Sequence, residues 1–229
     1  MPSDAKILCI ETSSDACSVA LNCNGTVIEH YELAPYKHSQ FILPMIQKLI
    51  AEAHLTLAQL DAIAFGCGPG SFTGVRLAAS ITQGLACGLN RPAIPVSTLN
   101  IMAQGMYEKN GSPNVLVALD AKMGEIYLGA YSLDAEGLMQ PLLSDRLVKP
   151  EQTLEDKNLH SLNWIGVGDG WEFCKEVLLQ NYPVTNVESN FYPHAKYLLP
   201  IAAKRFRQGM TVRADQALPV YLREQVVRV

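Results

Sequence analysis

Phe65-Gly66-Cys67-Gly68-Pro69-Gly70-Ser71 is echoed further along the chain by Ile165-Gly166-Val167-Gly168-Asp169-Gly170. Each stretch carries G-x-G-x-G directly after a short apolar run and directly before a helical pattern. Upstream of each copy lies a strand that closes on an acid, Lys6 to Glu11 in one half and Val115 to Asp120 in the other, followed at once by a turn into a second strand. A period of about half the chain reads as duplication, by the logic that applies to shorter repeats.

Worked outward from the first glycine run, Lys6 to Glu11, Cys17 to Cys23 and Thr26 to Leu33 predict three antiparallel strands, the last two joined by the hairpin signal Asn24-Gly25. Ser39 is placed to cap a helix whose apolar positions are Ile42, Met45, Ile46, Leu49, Ile50 and Ala53, with Pro44 tolerated early or bending it. A buried strand over Asp61 to Gly66, a helix from about Thr73 to Leu89 and a strand from Ala93 to Ser97 follow. In the second half, strands are expected over Val115 to Asp120, Glu125 to Tyr131, Arg146 to Val148 and Asn163 to Val167, with a turn at Asp134 to Gly137. Helices are expected over Pro150 to Lys157, Gly170 to Gln180 and His194 to Phe206. The fold class is therefore α/β, two βββαβα lobes over residues 1–103 and 104–229, with the option that the C-terminal helix packs back on the first lobe. Clefts between such lobes are where ligands tend to bind.

Composition narrows the function. The chain has 229 residues, 48% of them hydrophobic and 17% charged, which excludes a disordered or low-complexity protein. Its apolar runs are interrupted well before the roughly 20 residues a membrane span needs, and Met1-Pro2-Ser3-Asp4 lacks a basic leader, so a cytoplasmic, unprocessed protein is expected. Cys9, Cys17, Cys23, Cys67, Cys87 and Cys174 form no C-x-x-C pair and read as small buried hydrophobes. The net charge of −4 conceals an uneven distribution. From Lys196 onward, Lys196, Lys204, Arg205, Arg207, Arg213, Arg223 and Arg228 stand against Asp215 and Glu224, either a solvated face or a contact for phosphate or an acidic partner.

Three features carry candidate chemistry. The Gly66 to Gly74 loop is neither a P-loop nor G-x-G-x-x-G. Gly68 and Gly70, like Gly166 and Gly168, fit backbone approach to an anion or simply a tight turn. Glu11, Thr12 and Ser13 fit either a hydrated magnesium and phosphate site or a polar hairpin turn. The five histidines show no H-x-H or H-x-x-x-H pair, and no G-x-S-x-G elbow is present, so neither a metal site nor a marked nucleophile is expected. On the second helix Ser80, Gly84 and Gly88 lie four apart on one stripe. Two helical glycines, each costing about 1 kcal/mol relative to Ala, call for a close backbone. It belongs either to this chain's own first helix or to a partner, and Phe41 and Leu43, off the first helix's apolar stripe, favour the partner.

Ile10-Glu11-Thr12-Ser13-Ser14, His38-Ser39, Leu43-Pro44, Phe65-Gly66 to Gly74-Val75-Arg76, Pro95-Val96-Ser97-Thr98-Leu99, Asp120-Ala121-Lys122-Met123-Gly124-Glu125-Ile126-Tyr127 and Pro219-Val220-Tyr221-Leu222-Arg223 resemble the TsaB family, also called YeaZ. The resemblance runs from the first strand nearly to the C-terminus. It implies an actin-like (ASKHA) fold of two ribonuclease-H-like lobes, and a non-catalytic role in making threonylcarbamoyladenosine in tRNAs that read codons beginning with A. It also implies pairing with a metal-carrying catalytic paralogue of the TsaD type, recruitment of a TsaE-type ATPase, and tRNA contact through that complex.

TsaD-type chains carry H-x-x-x-H after their glycine loop and helix; here Thr98 and Met102 take those positions, a poor ligand pair for a hard or borderline metal. The resemblance therefore implies no cofactor in this chain, with ATP, ADP and magnesium entering only at the level of the complex. It places the partner interface at Phe41, Leu43, Arg76, Ser80, Gly84 and Gly88, with a homodimer through the same face when the partner is absent. Glu11, Thr12, Ser13, Gly68, Gly70, Asp120, Gly166 and Gly168 become a vestigial nucleotide cleft. The competing expectation is an ATPase or phosphotransferase using Glu11 and Asp120 with magnesium. A glycoprotease is disfavoured by the missing histidine pair.

Overall fold

The computed structural model describes residues 5–23, 25–152, 159 and 162–223. The described residues group into two compact units, one formed by residues up to Ile101 together with Pro193–Val220, the other by Met102–Tyr192 and the segment from Tyr221.

The first unit is built on a five-stranded sheet of β1 (Ile7–Glu11), β2 (Ala16–Cys23), β3 (Thr26–Leu33), β4 (Ala62–Gly66) and β5 (Ala93–Val96), in the order β3-β2-β1-β4-β5. β1, β2 and β3 pair antiparallel, whereas β4 and β5 add in parallel to β1. The central strands are buried on both faces, which is why they read as nearly unbroken apolar runs. Alternate residues serve different layers. Leu8, Ile10, Ile63 and Phe65 join a core with Ile42, Ile46 and Leu49 of α1 (His38–Glu52) and Ala78, Ala79 and Ala86 of α2 (Phe72–Leu89). Ile7, Cys9, Ala62 and Ala64 join a second core closed by a C-terminal helix, Ala195–Arg207, through Leu198, Ile201 and Ala202. Each fully buried Leu or Ile stabilises the fold by about 2 kcal/mol.

The second unit repeats this plan with β6 (Asn114–Asp120), β7 (Ile126–Leu133), β8 (Met139–Val148), β9 (Trp164–Val167) and β10 (Val184–Glu188), in the equivalent order β8-β7-β6-β9-β10. Again the first three pair antiparallel and the last two parallel. Its core gathers Leu116, Ala118, Ile126, Leu128 and Trp164 against Trp171 and Leu178.

The topology bears the duplication out, with several corrections of detail. Each sheet has five strands, so βββαβα is one strand short per repeat. α3 (Thr98–Asn110) and β10 were not expected. α3 starts in the first unit and continues into the second. Ser97, read as the end of β5, instead accepts hydrogen bonds from the amides of Leu99 and Asn100 (3.1 and 3.4 Å) at the start of α3. α1 begins at His38 with Lys37 at its N-cap and no side-chain cap, so Ser39 lies inside the helix. β8 is ten residues long rather than three. The helix expected over Pro150 to Lys157, residue Asn24 of the hairpin signal, and Glu224 and Arg228 of the basic segment lie wholly or mostly outside the described residues. α4 (Gly170–Asn181) and α5 (Ala195–Arg207) run one residue beyond their expected ends.

Cysteine burial also needs correction. Cys9, Cys17 and Cys67 are buried, Cys23 and Cys174 half-buried, and Cys87 exposed on α2. Among the described residues no helix is long and apolar enough to cross a membrane.

Candidate functional site

In the first unit the turn after β1 and the glycine loop after β4 lock together through backbone. The amide of Ser71 donates to the carbonyl of Ser13 (2.7 Å), and Thr12 Oγ1 donates to the carbonyl of Gly74 (2.7 Å). The glycines make that approach feasible. A Cβ at Gly74 would stand 1.9 Å from the carbonyl oxygen of Thr12, and one at Gly70 would stand 2.5 Å from that of Ser13. Gly68 takes a φ of +103°, a left-handed conformation that other residues rarely adopt. Its carbonyl accepts from the amide of Thr98 (2.9 Å), while the carbonyl of Cys67 accepts from Val220 (2.8 Å). Ser71 caps α2, its Oγ accepting from the amide of Gly74 (3.4 Å). The loop's approach space is thus filled by this chain's own turn.

Glu11 sits beneath that joint, fully buried. One carboxylate oxygen accepts from the amide of Ser13 (2.6 Å), and the other, Oε2, has no hydrogen-bond partner among the described residues. A Cβ at Gly66 would fall 1.9 Å from Oε2, so Gly66 is the space the carboxylate occupies. Burial raises the Glu11 carboxyl above its ordinary range, opposed by the hydrogen bonds at Ser13 and Thr12. Burial, and secondly the nearby Glu11 charge, push the Cys17 thiol up to about 12. A hydrated magnesium needs carboxylate oxygens open to water. Glu11 is sealed from it, so the polar-turn reading of Glu11, Thr12 and Ser13 describes the geometry.

The second unit builds the equivalent region differently. A Cβ at Gly168 (φ +104°) would meet the carbonyl oxygen of Ala118 at 2.4 Å, and one at Gly170 the Ala118 backbone at 2.9 Å. Over Gly166, however, lies the indole of Trp171, 2.7 Å from where a Cβ would be. Asp120 is partly exposed and binds Lys122, which reaches it through both its amide and its ammonium (2.7 and 2.5 Å). Its own amide donates to Asp169 Oδ1 (2.9 Å). Burial raises the Asp169 carboxyl, and the neighbouring Asp120 charge adds to that against the pull of the Asp120 amide and of Lys122. Lys122 and Met123 both take left-handed backbone, and Arg223 pins this turn through the carbonyls of Ala121 and Lys122 and an ion pair to Glu125 (2.7 Å).

The TsaD-type metal positions hold no fitting donor set. Thr98 is buried with its hydroxyl hydrogen-bonded to Ser13 Oγ (3.1 Å), and Met102, one helical turn on, presents a buried thioether.

The remaining candidates lie on the outer faces of α1 and α2. Phe41 is 37% and Leu43 56% exposed, off the stripe of Ile42, Ile46 and Leu49 that meets the sheet. On α2, Ser80, Gly84, Cys87 and Gly88 are exposed, and among the described residues a Cβ at Gly84 or Gly88 would meet nothing within 4 Å. Packing of this stripe against the chain's own first helix is therefore not its explanation. At the start of the same helix the Arg76 guanidinium lies 3.5 Å over the ring centroid of Phe72, itself exposed. Sequence reasoning missed Phe72 and Cys87 on this face, although both lie one turn from residues it named.

A family model described as TsaD, tRNA N6-adenosine threonylcarbamoyltransferase, matches residues 29–229. The TsaB tRNA threonylcarbamoyladenosine biosynthesis protein of Escherichia coli K12 is 43% identical over 221 residues, 96% of each chain. Its counterpart in Haemophilus influenzae is 38% identical over 227 residues, 96% of this chain and 94% of that one. The solved structure of YeaZ from Pseudomonas aeruginosa superposes with a TM-score of 0.89 at 42% identity, covering 95% of this chain and all of that one.

Proposed function

The chain belongs to the TsaB (YeaZ) family of tRNA threonylcarbamoyladenosine biosynthesis proteins, and from that premise we propose that it serves the modification as a non-catalytic subunit that docks a TsaD-type catalytic paralogue on the outer face of α1 and α2. Its two lobes then correspond to the ribonuclease-H-like halves of an actin-like fold. The substrate of the assembled complex is a tRNA that reads codons beginning with A, and a TsaE-type ATPase joins the pair.

The observation that carries the reading is the bare stripe of Ser80, Gly84 and Gly88. Gly84, inside an 18-residue helix, costs about 1 kcal/mol and Gly88, next to the helix's last residue, costs less, and among the described residues no group within 4 Å of their Cβ positions uses the space they leave. A helix of another chain lying against that backbone supplies the reason, with Phe41 and Leu43 as apolar anchors and Arg76 at the rim. The same face accepts a second copy of this chain when the paralogue is absent. Catalysis stays with the partner, because Thr98 and Met102 replace the ligand pair and the first unit's glycine loop is filled by the Glu11-Thr12-Ser13 turn. ATP and magnesium enter through the other subunits.

Size-exclusion chromatography with light scattering on this chain mixed with a TsaD-type partner, followed by threonylcarbamoyl transfer to tRNA with each component omitted in turn, tests the assignment. A one-to-one heterodimer and a transfer that needs both chains are expected. Magnesium-dependent ATP turnover by this chain alone, with no heterodimer, would replace the accessory reading with the ATPase one.

A further inference from the structure

The segment after α5 is anchored twice, once against the docking helix and once in the turn after β6. Within the first unit Ala217 is fully buried in the core that holds Ala78, Ala79 and Ala86 of α2, with Val212 and Ala214 packed against the same cluster. The amide of Val220 then donates to the carbonyl of Cys67 (2.8 Å), and a Cβ at Gly68 would stand 3.1 Å from the carbonyl oxygen of Val220. This segment therefore lies on both α2 and the glycine loop that leads into it. The chain passes into the second unit between Val220 and Tyr221. There the mostly buried side chain of Arg223 meets the turn after β6.

That turn is costly to hold. Lys122, Met123 and Gly124 take φ of +62°, +59° and +76°, three left-handed residues in a row, and of the three only glycine adopts that region readily. Strain of this kind persists where the surrounding groups over-determine it. The amide of Ala121 donates to the carbonyl of Glu125 (3.0 Å) and that of Glu125 to the carbonyl of Lys122 (3.2 Å), which closes the turn. Arg223 braces it further through the carbonyls of Ala121 (3.1 Å) and Lys122 (3.3 Å), Met123 Sδ (2.9 Å) and the carboxylate of Glu125 (2.7 Å). A guanidinium suits the task, because its N–H donors are fixed in one plane and a single side chain reaches several acceptors at once.

We propose that residues 217–223 form a strap that couples the docking face to the Lys122–Met123–Gly124 turn, with Arg223 as its clasp. A partner that stiffens α2 stiffens the strap, and through Arg223 the turn and the Asp120–Lys122 pair that it carries. The inference rests on the accessory reading above. It needs no change of shape, since ordering alone transmits binding free energy. Arg223 is a positioning residue in this account.

The test is hydrogen–deuterium exchange at residues 120–126, in the chain alone and with a TsaD-type partner bound, for wild type and Arg223→Gln. Each is first checked for a cooperative melt. Arg223→Lys, which keeps the charge and loses the fork of donors, takes the place of the Gln variant if that one does not fold. In the free chain the substitution should speed exchange of the Ala121 and Glu125 amides about tenfold or more, the scale of one lost charge-assisted hydrogen bond. Partner binding should slow the same amides in wild type and leave them unchanged in the variant. Exchange that the substitution does not alter removes the clasp. Slowing that persists in the variant, or is missing from a wild-type heterodimer, removes the coupling. Either result overturns the inference and leaves the accessory reading standing. Loss of partner binding by a folded variant also overturns it, by making Arg223 a contact. A wild-type chain that binds no partner overturns the accessory reading and this inference together.

Discussion

The two glycine loops occupy equivalent places in equivalent sheets, yet what fills the space beside them differs. Above Gly66 lies a sealed carboxylate, and above Gly166 a tryptophan ring. Around Gly70 and Gly74 the neighbour is the backbone of the turn after β1, and around Gly168 and Gly170 it is the backbone of β6. In both halves a side chain at these positions would collide with the protein itself. The difference teaches that the G-x-G-x-G pattern persists in this chain because the duplicated fold packs through it. Gly84 and Gly88 of α2 obey the opposite rule, with no neighbour among the described residues within 4 Å of their Cβ positions.

That contrast can be broken by substitution. The largest effect is expected at Gly74→Ala, whose methyl would displace a backbone carbonyl: about 3 kcal/mol of destabilisation, read as a fall in Tm of roughly 10 °C. Gly166→Ala should cost somewhat less, about 2 kcal/mol, because the Trp171 ring can tilt where backbone cannot. A change in near-ultraviolet circular dichroism from the indole should accompany it. Gly84→Ala and Gly88→Ala should carry the opposite sign, Gly84→Ala stabilising the isolated chain by about 1 kcal/mol in chemical denaturation and Gly88→Ala, at the helix end, by less, since helix propensity improves and nothing is struck. Destabilisation at Gly84 would mean the stripe is internal after all.

The smallest effect is one of pH. The folded chain binds the Glu11 proton more tightly than the unfolded chain does, so ionised Glu11 opposes folding. Stability should decline as pH rises from the ordinary carboxyl value of 4.5 through the raised one. Glu11→Gln should flatten that decline. Glu29 works in reverse. Burial pulls its carboxyl up, but the hydrogen bonds and charges of His194 and Lys196 win and lower it, so its contribution is present above the ordinary value and lost on acidification. Glu29→Gln should therefore weaken the chain at neutral pH and narrow the gap to wild type in acid, as thermal melts across pH would reveal.

The duplication was legible because each half repeats the same order of local signals, an apolar strand ending on an acid and a glycine run leading into a helix. What escaped lacked periodicity. Val184–Glu188 is Val-Thr-Asn-Val-Glu, a half-exposed edge strand with too few apolar residues to mark a face. The first turns of α3 bury Leu99, Ile101, Met102, Ala103 and Met106 together, and a helix buried all round offers no amphipathic stripe; its one cue was Ser97 at the cap. At the site, Ser80, Gly84 and Gly88 were visible from spacing alone. Whether they faced inward or outward depended on tertiary placement, which spacing does not encode. Likewise the acids at the strand ends were visible, but the burial of Glu11 beneath Gly66 follows from contacts between segments 55 residues apart in number (Glu11 and Gly66).

The most direct test is a calorimetric titration of a TsaD-type partner into the wild-type chain and into Gly84→Leu, with the Tm of each measured beforehand. An interface seated on the α2 stripe predicts a loss of about thirtyfold or more in affinity, the scale of a hot-spot residue worth 2 kcal/mol, with a Tm no lower than wild type. Undiminished affinity in Gly84→Leu would contradict the account.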